Sequence, residues 1–165
     1  MARILVAYAS KKGSTTDIAQ VIGKELLVNH IVDVVEMGSV TSLDGYNAVV
    51  IGGPMYMGKM VGDVGKFVRR HYNEMKKLPV AGFIVSLAPV SKDPAQMANA
   101  QKALHASLHP LEPVAETVFG GKVDPAKLSW FQNWITKKFK TPVGDFRDWT
   151  AIVIWAKELP GKMGV

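Results

Sequence analysis

The sequence predicts an α/β protein with a doubly wound, five-stranded parallel sheet in the order 2-1-3-4-5 and a helical insert after strand 5. Short β-branched runs alternate with longer segments of helical period, which is the pattern of βαβ units. Residues 4–7 and 48–51 are continuously apolar, as expected of central parallel strands that are covered on both faces. Right-handed crossovers leave few possible orders for such a sheet, and 2-1-3-4-5 is a common one.

The predicted elements follow one another along the whole chain. The predicted strands are residues 3–8, 31–36, 48–53, 80–86 and 114–119. The predicted helices are residues 15–27, 61–75, 94–107 and 146–159. In the first helix, Ile18, Val21 and Ile22 form an apolar stripe. Residues 37–46 are polar and contain glycine, so we expect an irregular crossover between strands 2 and 3.

Composition limits the kinds of protein this can be. The 165 residues are 48% hydrophobic and 21% charged, so we expect one domain, residues 1–165, around one core. The absence of cysteine excludes disulfides, cysteine-ligated clusters and a thiol nucleophile, so redox chemistry would require a bound cofactor. No apolar run approaches the roughly 18 residues of a membrane span, and we expect a cytoplasmic protein. The net charge of +6 favours anionic partners without choosing among them.

The loop after strand 1 has the residue types of an anion-binding site. A doubly wound sheet binds its ligand at the carboxyl ends of its strands, beside the point where the strand order reverses. This loop supplies hydroxyls, a glycine, two lysines and the N–H groups of a following helix. Its residues are Ser10, Lys11, Lys12, Gly13, Ser14 and Thr15. No Walker or Gly-x-Gly-x-x-Gly motif is present, and the alternative is that Ser14 and Thr15 only cap the helix.

The loops after strands 3 and 4 could hold a flat ring between them. The second loop combines glycine with an aromatic ring and thioethers, and consists of Pro54, Met55, Tyr56, Met57 and Gly58. The third loop is short and apolar, with Leu87, Ala88, Pro89 and Val90. The alternative for Met55, Met57 and Met60 is packing in the core. An anion cradle and two such loops at one switch point are what a mononucleotide flavin requires.

These motifs resemble those of the flavodoxin family. Residues 10–15 are similar to the family's phosphate loop, Ser/Thr-x-Thr-Gly-x-Thr, although Lys12 stands where threonine is usual, and residues 49–54 are similar to its third strand and loop. The resemblance covers essentially the whole chain. It implies FMN as cofactor, with residues 10–15 on the phosphate, 54–58 on one side of the isoalloxazine and 87–90 on the other. The third loop lacks the tyrosine that many flavodoxins stack on the ring.

Within that family, the chain looks most like the menaquinone-dependent protoporphyrinogen dehydrogenases, which are flavodoxin-like proteins of haem biosynthesis with a long insert after the fifth strand. The likeness rests on residues 13–19, on a basic aromatic insert and on Asp148-Trp149 after it. It implies a quinone-linked dehydrogenase. The alternative is an electron carrier between soluble redox partners, so the partner is either a quinone or a redox protein. No catalytic residue can be assigned from the sequence.

The insert, residues 119–147, carries six basic and two acidic side chains. Asp124-Pro125 predicts the start of a helix. The apolar face of this helix would comprise Leu128, Phe131, Ile135 and Phe139, with Trp130 and Trp134 beside it. Such a face most often covers core, but a basic aromatic helix can also lie at a membrane interface, hold an aromatic substrate or dock a partner. We therefore keep open a peripheral contact with the inner face of the membrane.

Three further classes are less favoured. A phosphoryl-receiver domain needs carboxylates at its strand ends, where this chain has residues 9–10 and 53–54 without any. Nucleic-acid binding would rest only on the basic insert, and a charge run is usually a solvated face. His105 and His109 are four residues apart but lack a third ligand, so we expect no metal site.

Overall fold

The computed structural model describes residues 1–10, 13–127, 129–138 and 142–165. Its central sheet has five long strands: β1 Arg3–Tyr8, β2 Ile31–Glu36, β3 Ala48–Tyr56, β4 Val80–Ser86 and β5 Ala115–Gly120. Neighbouring strands are parallel and lie in the order β2-β1-β3-β4-β5. This confirms the predicted sheet order. A two-residue strand, Lys59–Met60, turns back antiparallel against the end of β3.

Helices cover both faces of the sheet. They are α1 Ser14–Leu26, α2 Gly62–Met75, α3 Pro94–Leu108 and α5 Trp149–Met163, and a further helix, α4 Trp130–Lys138, lies in the insert. On one face, α1 and α5 pack in a core cluster with Ile4 and Val6, and on the other, α2 and α3 pack with Leu5 and Ala7. Successive strand side chains point to opposite faces, so both faces of β1 are buried, which explains its continuous apolar run. The crossover between β2 and β3 is irregular, as predicted, with one short 3-10 helix at Met37–Ser39.

The insert differs from its prediction. A 3-10 turn, Pro125–Lys127, replaces the start of the expected helix, and the Asp124 carboxylate accepts a hydrogen bond from the N–H of Ala126 at 3.0 Å. The α-helix begins only at Trp130, because Ser129 and Gln132 form a capping box: each side-chain oxygen accepts from the other residue's N–H, at 3.2 and 3.1 Å. On either side, Lys122–Val123 pairs antiparallel with Gly144–Asp145.

The apolar face of α4 does not cover the core in the way the sequence suggests. Trp130, Phe131 and Trp134 are 82%, 53% and 52% exposed, and their rings contact one another. Two other members of the predicted face, Leu128 and Phe139, lie outside the described residues. Among the helices in the described part of the chain, none has the length and hydrophobicity needed to span a membrane.

The last helix begins and ends later than predicted. Asp148 caps its start by accepting a hydrogen bond from the N–H of Ala151 at 3.0 Å. It continues past Pro160 because Leu159 and Met163 are buried against the sheet, and Gly164 ends it in the left-handed conformation, with φ of 69°.

Candidate functional site

A cleft of about 650 Å³ lies at the carboxyl ends of β1, β3 and β4, where the strand order reverses. We call it the strand-end cleft. The three loops singled out in the sequence contribute Gly13, Ser14, Thr15, Pro54, Tyr56, Met57 and Leu87 to its lining. The structure thus brings together part of each predicted loop.

The first loop forms the anion cradle at one end of the cleft. Gly13 is the N-cap of α1 in a left-handed conformation, with φ of 89°, and has no side chain that could occupy the N–H groups of the first turn. The hydroxyl of Ser10 accepts a hydrogen bond from the N–H of Gly13 at 3.1 Å. Ser14 and Thr15 begin the helix, so its positive dipole end faces the cleft. Lys11 and Lys12 lie outside the described residues.

The second loop is a tight hairpin rather than an open loop. Tyr56 pairs with Lys59, and the two residues between them, Met57 and Gly58, both have positive φ, of 50° and 78°. Left-handed conformation at both central residues is typical of a two-residue hairpin turn. Residues other than glycine rarely adopt this left-handed conformation, but Met57 does. Met57 is 96% exposed and lies beside the cleft.

Strand alternation separates the side chains of this hairpin. Pro54 and Tyr56 line the strand-end cleft, whereas Met55, between them, packs against the α2–α3 core. Met60 is buried in the same core. Met55 and Met60 therefore pack in the core, which is the alternative given above for these methionines, whereas Met57 lines the strand-end cleft. Gly58 lies at the edge of a different cleft, behind the hairpin.

Only the first residue of the third loop lines the strand-end cleft. Leu87 contributes to its wall together with Val85 and Ser86 of β4. The chain then enters a 3-10 turn, Ala88–Val90, which begins with a hydrogen bond from the N–H of Ala88 to the hydroxyl of Ser86 at 3.0 Å. Ala88 is buried in the core and Pro89 is exposed, and neither they nor Val90 are lining residues.

The insert forms the remaining wall, which the sequence analysis did not place at the site. Its contribution is mostly polar and consists of Gly121, Lys122, Val123, Asp124, Lys127, Phe131, Gln132, Thr136 and Arg147. The available sequence signal was the Gly120-Gly121 pair at the end of β5. A Cβ on Gly120 would overlap the backbone carbonyl of Phe146, so glycine is what lets the returning chain lie against β5.

Arg147 fastens the insert to α1. Its guanidinium forms two hydrogen bonds with the Asp145 carboxylate, at 2.8 and 2.7 Å, and one with Asp17 in the first turn of α1, at 2.8 Å. The arginine side chain is only 8% exposed and also stacks over Trp149 at 4.7 Å. Hydrogen bonding to Arg147 is the main cause that lowers the pKa of Asp145 from 3.8 to about 2.

This ion pair makes stability depend on pH in a defined window. We expect Asp145→Asn to lower the free energy of unfolding at neutral pH, and the difference from the wild type to vanish as the pH falls from about 4 to about 2. A pKa that is lowered by folding stabilises the protein above the unfolded-state value and stops doing so as the pH falls through the folded-state value. Urea denaturation at several pH values measures this difference. The same substitution at Asp44, an exposed loop residue, is the control, and an equal effect at both positions would contradict the assignment.

A second cleft, of about 700 Å³, lies between α2, α3 and the Lys59–Met60 strand. Arg69, Lys102 and His109 are among its lining residues, and among the described residues of the predicted loops only Met55 and Gly58 reach it. It lies away from the anion cradle, so the strand-end cleft is the candidate site.

Comparisons with known proteins agree with this geometry. The family described as Flavodoxin domain matches residues 5–148. A flavodoxin from the domain Archaea is 17% identical, with a TM-score of 0.56, over 99% of each chain. A flavodoxin from Streptococcus pneumoniae TIGR4 is 16% identical, with a TM-score of 0.57, over 98% of this chain and 99% of that one. A flavoprotein from Lactobacillus acidophilus NCFM, solved in complex with FMN, is 15% identical, with a TM-score of 0.54, over 72% of this chain and 93% of that one.

No curated protein sequence matches this chain. At identities below 20%, the solved structures show a common fold and nothing finer. The family match, in contrast, spans most of the sequence, including the anion cradle, the hairpin and the whole insert. The chain therefore belongs to the family of flavodoxin domains.

Proposed function

We propose that this chain binds FMN in the strand-end cleft and acts as an electron carrier between redox partner proteins. The observation that carries the proposal is the convergence of the anion cradle and two apolar loop segments at the carboxyl ends of β1, β3 and β4. Membership of the flavodoxin domain family supports it, as does the FMN bound to the similar Lactobacillus flavoprotein.

The residues of the cleft fit both ends of FMN. The N-terminus of α1, with glycine as its cap, suits the phosphate, because a phosphate is stabilised by free N–H groups and by the helix dipole. The flat ring needs apolar walls, which Val85, Leu87 and Phe131 provide. A cleft of about 650 Å³ is also within the ordinary range for cofactor sites.

In this arrangement the protein supplies binding and orientation, and FMN, when bound, supplies transfer of one or two electrons. Ser10 and Gly13 fix the conformation of the anion cradle. The hairpin and Leu87 line the space beside it. The net charge of +6 favours negatively charged partners at the surface.

A quinone-linked dehydrogenase resembling the protoporphyrinogen enzymes is the second candidate. The exposed rings of Trp130, Phe131 and Trp134 favour it, because they could receive a flat apolar substrate. Phe131 also lines the strand-end cleft, which brings this aromatic face next to the proposed cofactor. Contact of the insert with a membrane, where quinones reside, stays a prediction.

An anaerobic redox titration of the FMN-loaded protein, followed by absorbance, tests the proposal. A carrier is expected to take up its electrons in two well-separated steps of one electron each. Reduction in a single two-electron step would contradict the carrier and support the dehydrogenase, and activity with protoporphyrinogen and a menaquinone analogue would then be measured. Failure of the wild-type protein to bind FMN would overturn both candidates.

A further inference from the structure

Lys127 of the insert lies directly over the anion cradle. Its ammonium nitrogen is 3.7 Å from the position that a Cβ on Gly13 would occupy. Both residues line the strand-end cleft, although 114 positions separate them in the sequence. The insert therefore brings a full positive charge to the N-terminus of α1.

The backbone around Lys127 is held by local hydrogen bonds. Lys127 ends the 3-10 turn, and its own N–H donates to the carbonyl of Asp124 at 3.1 Å. The side-chain amide of Asn133 in α4 donates to the carbonyl of Pro125 at 3.3 Å, which joins the turn to the helix. The backbone position of Lys127 is thus set by hydrogen bonds within the insert.

The insert is in turn fixed to the sheet and to α1. Phe146 donates its N–H to the carbonyl of Gly121 at 3.0 Å, and Arg147 bridges Asp145 and Asp17. Two carboxylates line the cleft: Asp17 accepts a hydrogen bond from Arg147, and Asp124 accepts one from the N–H of Ala126. Three cationic side chains line it as well, those of Lys122, Lys127 and Arg147, so positive charges outnumber negative ones among its described lining residues.

We propose that Lys127 is a direct ligand of the FMN phosphate, supplied by the insert to complete the anion cradle. This inference rests on the proposed FMN binding. A phosphate monoester carries nearly two negative charges at neutral pH, whereas a helix N-terminus offers only about half a positive charge. An ammonium group beside it adds positive charge and a charge-assisted hydrogen bond. The insert then acts as a selectivity element for phosphorylated flavin.

The test compares FMN with riboflavin, which has the same ring and no phosphate. Flavin fluorescence quenching measures both affinities for the wild type, Lys127→Met, Lys127→Arg and Lys137→Met. Lys137 is the matched control, because it is an exposed lysine of the insert that does not line the cleft. We expect Lys127→Met to lose about tenfold in FMN affinity at low salt, as for one charge-assisted hydrogen bond, and to keep its riboflavin affinity.

Two further results are expected from the same titrations. Lys127→Arg should keep most of the FMN affinity, and added salt should narrow the gap between the wild type and Lys127→Met. Unchanged FMN affinity in Lys127→Met would overturn the inference, as would an equal loss for FMN and riboflavin, or an equal loss in Lys137→Met. If the wild type bound neither flavin, the proposed function itself would fail. If the wild type and Lys127→Met bound FMN equally well, only the role of Lys127 would be overturned.

Discussion

Phe83→Ala is expected to lower the free energy of unfolding by about 3–5 kcal/mol, the usual cost of removing a fully buried ring. Phe83 is completely buried in β4 and lies between Phe119 and Trp155, with ring centroids 5.9 and 6.2 Å away. Its ring also fills the space over Gly52, where a Cβ would overlap it. Truncation leaves a cavity that the packed residues around the ring close only in part, and we expect the melting temperature to fall by about 10 °C.

Urea denaturation at one fixed FMN concentration measures this change, since bound cofactor adds to stability. Trp130→Ala is the control, because an aromatic ring is removed from a side chain that is 82% exposed and does not line the strand-end cleft. We expect it to cost less than about 1 kcal/mol. Similar losses in both variants would contradict the core position of Phe83.

Gly120→Ala is expected to weaken FMN binding by about tenfold or more and to cost about 1–3 kcal/mol of stability, as for overpacking. The added Cβ would overlap the backbone carbonyl of Phe146, which cannot rotate away as a side chain could. The chain around Phe146 must therefore move away from β5. This movement breaks the 3.0 Å hydrogen bond from the N–H of Phe146 to the carbonyl of Gly121 and displaces Arg147 from Asp17. The wall of the strand-end cleft moves with it.

The same fluorescence titration with FMN, together with urea denaturation, checks this result. Gly161→Ala is the control, since nothing lies within 4 Å of a Cβ at that position in α5. Alanine in a helix is expected to raise stability there by about 0.5–1 kcal/mol. If Gly120→Ala retained full FMN affinity, the insert would not be a wall of the cofactor site.

Much of the fold could be predicted because it depends on local patterns. Residues 4–7 are continuously apolar because both faces of β1 are covered, and strands alternate with helices because parallel neighbours need crossovers. The sequence also indicated where a ligand would bind, since glycine, hydroxyl and helix-start signals coincide at residues 10–15. The sequence also predicts residues 54–58 at this edge of the sheet, because they follow strand 3, but it does not predict the two-residue turn at Met57 and Gly58.

The anion cradle and the family motifs can be predicted from the sequence because their residues are close together along the chain, and the sheet order can be predicted because right-handed crossovers leave few possible orders. The packing of distant segments, in contrast, places Met55 in the core and Tyr56 at the cleft, and makes the insert a wall of the site. Arg147 reaches Asp17 across 130 positions, and Lys127 reaches Gly13 across 114. Periodicity in the sequence indicates which face of a helix or strand is apolar, but it does not indicate which distant residues a polar side chain contacts. For Arg147 and Lys127, those contacts depend on how the chain around Phe146 packs against Gly120.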